Sequence, residues 1–107
     1  MYLTEMVLYE VTAIPDDEVR EDYERYMREK HVADVLATGA FVEAHFARNA
    51  DGAYRATYIA AERSALDRYL ESDAPRLRAD FAMHFPSGIQ LSRDILEVVQ
   101  AWPAPSR

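Results

Sequence analysis

Four runs of alternating apolar and polar residues, separated by two stretches of helical period and one Asp-Gly turn, constrain the fold of this chain more than any other feature. From Glu5 to Ile14, Val7, Tyr9 and Val11 fall on one side and Met6, Leu8, Glu10 and Thr12 on the other, the period-two signature of a half-buried strand. Pro15-Asp16-Asp17-Glu18 ends that strand and opens a helix, since early carboxylates suit the positive end of the helix dipole. From Val19, the residues Tyr23, Tyr26, Met27 and Lys30, and then Val35 and Leu36, form a stripe at helical spacing, and Gly39 supplies the residue of positive φ that closes a helix.

A second alternating run, Phe41 to Arg48, sets Val42, Ala44 and Phe46 against Phe41, Glu43 and His45. Asn49-Ala50-Asp51-Gly52 then turns the chain back into a third run, Tyr54 to Ala61. Ser64 is the expected cap of a second helix carrying Leu66, Tyr69 and Leu70, which breaks and restarts at Asp73-Ala74-Pro75 and ends at Pro86-Ser87-Gly88. The last run, Gln90 to Ala101, places Leu96 and Val98 on one face and Arg93, Ile95 and Glu97 on the other. This β-α-β-β-α-β order predicts an α+β, ferredoxin-like fold: a four-stranded antiparallel sheet with both helices on one face, because the crossovers are right-handed. One domain spans residues 1–107, with a Pro-containing tail at 102–107 whose two prolines cannot extend a ladder. Met6 offers a second initiator, which makes the first five residues a dispensable extension.

The helix-covered face is expected to hold Val7, Tyr9, Val11, Val42, Ala44, Phe46, the Tyr54 to Ala60 set, Leu96 and Val98. The other face then presents Leu8, Glu10, Phe41, Glu43, His45, Arg55, Thr57, Ile59, Arg93, Ile95 and Glu97. A mixed face of this size meets something. Two such sheets packed face to face in a two-fold homodimer bury the apolar members and enclose the polar ones in a shared cavity.

Composition narrows the partners. A net charge of −7, with 12 basic and 19 acidic residues and no basic cluster, argues against nucleic acid and against anionic membrane surfaces. No apolar stretch approaches the length of a membrane span, and the N-terminus lacks a basic region and carries Glu5 and Glu10 within its apolar part, unlike a secretory signal. The absence of cysteine excludes disulfides, thiol catalysis and Cys-based zinc sites, so a cytoplasmic address is expected. There is no Walker loop, dinucleotide glycine pattern, G-x-S-x-G or HExxH.

The segments VLYEVTA, MREKHVADVLATGAF, ALDRYLESDAPRLRADF and SRDILEVV resemble domain-of-unknown-function family 4286 over nearly the whole chain, most specifically between His31 and Phe41 and next in APRLR. The resemblance implies a short bacterial protein of the dimeric α/β-barrel superfamily, which includes cofactor-independent monooxygenases, muconolactone isomerases, chlorite dismutase-like haem proteins and stress-responsive proteins. It brings no established activity, because fold membership leaves chemistry open.

Within that frame His31 is the candidate catalytic residue, as a general base or a substrate hydrogen-bonding group; the competing reading is a half-buried histidine that caps the turn before Val32. Glu43 and His45 point the same way on a strand, but two ligands do not make a metal site, and none is predicted. Glu10, Arg55, Arg93 and Glu97 form either an interface network or the polar lining of a pocket. The pocket set is therefore Glu10, Glu43, His45, Arg55 and Arg93, with no cofactor. The expected function is binding of a small organic molecule in the dimer cavity, with monooxygenase-like or isomerase-like turnover; the alternative is a non-catalytic dimeric module whose polar face specifies assembly.

Overall fold

The computed structural model describes residues 5–106. The extension implied by a start at Met6 therefore lies, for residues 1–4, outside the described residues. In chain order the elements are β1 (Val7–Pro15), α1 (Arg20–Tyr26), a π-helical turn (Met27–His31), α2 (Val32–Leu36), β2 (Glu43–Arg48), β3 (Tyr54–Ala60), α3 (Arg63–Ser72), α4 (Ala74–His84) and β4 (Ile89–Glu97). The strands form one antiparallel sheet in the order β2-β3-β1-β4, which leaves β1 and β3 central and β2 and β4 at the edges.

Alternation in the central strands sets the core. Val7, Tyr9 and Ala13 of β1 and Tyr54, Ala56, Tyr58 and Ala60 of β3 are all buried beneath the helices. Tyr23 of α1, only 1% exposed, packs its ring among Phe46, Tyr54, Phe81 and Phe85 at centroid separations of 5.2 to 6.1 Å. Truncating such a residue to Ala typically costs about 3–5 kcal/mol, through lost transfer energy and the cavity left behind. Gly39 closes the first helical segment at φ 80°, its N–H donating to the Leu36 carbonyl at 3.1 Å. The hairpin turn is held by Asn49, whose Oδ1 accepts from the N–H groups of Asp51 and Ala53 at 2.9 and 3.0 Å.

Three local expectations are corrected. Phe41 is buried at 7% and Val42 is 69% exposed, the reverse of the alternation. The chain bends at Val42 before β2 begins, which lets the larger ring turn inward against Tyr58 and Tyr69, at 5.3 and 4.9 Å. α3 starts one residue before Ser64, with Glu62 at the N-cap and no side-chain cap bond.

The third correction bears on the site. β4 has the opposite phase: Ile95 lies opposite Tyr9, Arg93 opposite Val11 and Leu91 opposite Ala13, so these residues share the helix-covered face, while Leu96 pairs with Leu8 on the other. Ile95 packs on the core and Leu96 is 40% exposed. Arg93 tolerates this placement because β4 is an edge strand, where a long side chain reaches solvent past the end of the helical layer.

Candidate functional site

The helix-side face holds a cleft between the sheet and the helices. It is small, about 40 Å³, and not fully closed; Tyr9, Tyr58, Tyr69 and Phe81 wall it, and His31, Arg78 and Arg93 reach it from three different elements.

His31 arrives there because of the π-helical turn. Tyr23, Met27, His31 and Val35 all line the cleft at steps of four residues. In a regular α-helix each such step overshoots a full turn by about 40°, so three steps would carry Val35 off the face. The widened turn at Met27–His31 absorbs that drift and keeps all four side chains on one side. The His31 ring stacks on Tyr26 at 5.5 Å and meets Phe81 edge-on at 5.9 Å.

Two buried polar atoms here, His31 Nδ1 and the Tyr58 hydroxyl, have no hydrogen-bond partner among the described residues. A buried polar group left unpaired costs about 1–3 kcal/mol, so two beside one cleft are unusual in a folded chain. Burial pushes the His31 pKa below its ordinary 6.5, with Lys30 and Arg93 acting in the same direction and Asp34 and Asp80 opposing. The imidazole is therefore neutral at neutral pH and able to accept a proton. Burial also raises the Tyr58 phenol strongly and pushes Tyr69 up to about 12, so both stay protonated.

Behind His31 a network fixes its surroundings. Tyr26 donates to Asp80 Oδ2 at 2.6 Å, and Lys30 donates to Asp80 and Asp34 at 3.0 and 2.8 Å. Burial, followed by the hydrogen bond to Asp80, raises the Tyr26 pKa, while the Tyr26 and Lys30 hydrogen bonds hold Asp80 below the usual carboxylate range.

The remaining predicted residues lie across the sheet. Glu10, its side chain 18% exposed, accepts from Thr57 at 3.2 Å and sits 3.9 Å from Arg55. His45 pairs with Glu43 at 2.5 Å on the exposed side of β2. The sheet therefore divides the predicted set: His31 and Arg93 share the helix-side cleft, whereas Glu10, Glu43, His45 and Arg55 occupy the opposite face. Tyr58, which reads in the sequence as one more core residue of β3, and Arg78, which reads as an exposed helical charge, also line the cleft without having been expected there. Among the described residues no group of three or more His, Cys, Asp or Glu is arranged to hold a metal ion, and no helix is long and apolar enough to cross a membrane.

A four-stranded antiparallel sheet with its helices on one face defines the ferredoxin-like class of α+β proteins, and solved structures of antibiotic biosynthesis monooxygenase type share it. MupZ from Pseudomonas fluorescens superposes with a TM-score of 0.72 at 8% identity, covering 98% of this chain and 94% of its own. A mutant of SnoaB, a cofactor-independent oxygenase from Streptomyces nogalater, gives 0.71 at 16% identity, covering 94% and 100%. The ActVA-Orf6 monooxygenase of Streptomyces coelicolor, in complex with nanaomycin D, gives 0.68 at 13% identity, covering 95% of each chain. At these identities the likeness establishes the fold alone. No curated protein matches the sequence. The family model described as Domain of unknown function (DUF4286) matches residues 6–99, and the chain belongs to that family.

Proposed function

We propose that this protein binds a small organic molecule in the helix-side cleft and carries out proton transfer on it, as a cytoplasmic homodimer. The observation that carries this reading is the pair of buried, unpartnered polar atoms, His31 Nδ1 and the Tyr58 hydroxyl, at one cleft. Neutral His31 takes a proton from an acidic C–H or O–H of the ligand, and the Tyr58 hydroxyl donates a hydrogen bond to the oxygen on which negative charge develops. Such a step opens either isomerase-like or monooxygenase-like turnover. The oxygenase and monooxygenase structures above share this fold, which supports the monooxygenase-like form of the reading by analogy.

The test is histidine-detected NMR during addition of small carbonyl and phenolic compounds. The His31 ring signals are expected to move, and Tyr58→Phe to weaken binding by about tenfold, the value of one good hydrogen bond. Movement of His45 signals with His31 unchanged would place the ligand on the opposite face and refute the assignment.

A second reading, a non-catalytic dimeric module, draws on that opposite face, where Leu96 is 40% exposed beside Leu8 and where Glu10 is already satisfied by Thr57 and Arg55. A dimer whose cleft accepts none of the compounds would favour it.

A further inference from the structure

The charge pattern around the cleft specifies what kind of molecule enters it. With 19 acidic and 12 basic residues, the chain has carboxylates enough for every cation. Of the described lysines and arginines, all but Arg68, Arg78 and Arg93 lie within 3.9 Å of a carboxylate. Two of those three line the same cleft, Arg78 from α4 and Arg93 from β4. Arg78 Nη2 donates to the Tyr9 hydroxyl at 3.0 Å, which ties its guanidinium to the wall of the cleft and leaves its other N–H groups available. Two guanidinium groups without counter-ions lining one cleft make a local positive field within an acidic protein, and their planar donor forks match a carboxylate.

The depth of the cleft carries the opposite chemistry. His31 Nδ1 and the Tyr58 hydroxyl, buried and unpartnered at the cleft, belong to a neutral imidazole and an un-ionised phenol, which suit a hydroxyl or carbonyl oxygen and not an ionised group. The rest of the lining is aromatic and aliphatic.

We propose that the ligand is a small organic acid with a carboxylate at one end and a neutral hydroxyl or carbonyl oxygen at the other, the carboxylate held by Arg78 and Arg93 and the neutral oxygen by His31 and Tyr58. This rests on the cleft reading above and adds the substrate class. Arg93, assigned by sequence to the other face, becomes a specificity-determining residue.

The test compares 4-hydroxybenzoate with its neutral amide, 4-hydroxybenzamide, by calorimetry, with the His31 ring resonance as a reporter of where they bind. Variants Arg78→Gln, Arg93→Gln and, as a control outside the cleft, Arg68→Gln are all at exposed positions and are expected to fold. The acid is expected to bind about tenfold more tightly than the amide, a preference that weakens at high salt. It should fall to near unity in Arg78→Gln and Arg93→Gln and persist in Arg68→Gln. Equal binding of acid and amide to the wild type, both shifting His31, would overturn the anion assignment and leave the cleft reading standing. Acid binding that leaves His31 unmoved, or no binding of either compound, would overturn both.

Discussion

At the scale of single residues, the site is defined by groups whose ordinary needs the fold leaves unmet. The Tyr58 hydroxyl is buried without a partner, so Tyr58→Phe removes a desolvation cost and loses no hydrogen bond. The variant is expected to be as stable as the wild type or up to about 1 kcal/mol more stable by urea denaturation; a loss above about 1 kcal/mol would mean that the hydroxyl has a structural partner. His31 makes a prediction in pH. Its folded-state pKa is depressed below 6.5, chiefly by burial, so as pH falls the unfolded chain takes up this proton first. Stability therefore declines from neutral pH downward through the unfolded-state value, and His31→Gln should flatten that slope as pH falls through about 6.5. An unchanged slope in the variant would show that His31 titrates alike in both states. Carboxylates held low in the folded state, such as Asp80 and Glu24, lose their contributions only in a more acidic window.

At the scale of elements, the phase of β4 is the most consequential placement. Ile95 packs on the core and Leu96 lies on the outer face, so Ile95→Ala should cost about 1–3 kcal/mol and Leu96→Ala less than about 0.5 kcal/mol in a monomer under denaturant. The reverse ranking would mean that the strand has slipped by one residue. This phase was not legible in the sequence. Both sides of the run carry apolar residues, Leu91 and Ile95 on one and Leu96 and Val98 on the other, and a charge at Arg93 argues against burial until β4 is known to be an edge strand. The central strands were legible because their alternation is unbroken, as from Tyr54 to Ala60. The first helix was legible in extent but not in winding. A π turn is invisible to a search for 3.6-residue periodicity, and its sign in this chain is the run of four-residue steps from Tyr23 to Val35. That turn explains why His31 looked displaced from the apolar stripe and yet faces the cleft.

At the scale of the whole molecule, the sheet separates two tasks. The helix side is a core with a small opening lined by His31, Tyr58, Arg78 and Arg93. The other side is a mixed surface where Leu8 and Leu96 lie next to the paired Glu10 and Arg55. The homodimer proposed for the protein would use that second surface, and Leu96→Glu is then expected to convert dimer to monomer in sedimentation equilibrium and to make thermal stability independent of concentration. A variant that sediments as the wild type does would place the interface elsewhere. The most direct test of the central claim is a crystal structure of the protein as purified from cells. An organic molecule or ordered water is expected in contact with both His31 Nδ1 and the Tyr58 hydroxyl, with Arg93 turned toward the same cleft. A collapsed cleft, with both atoms paired to protein groups and any bound molecule on the Glu10 face, would contradict it.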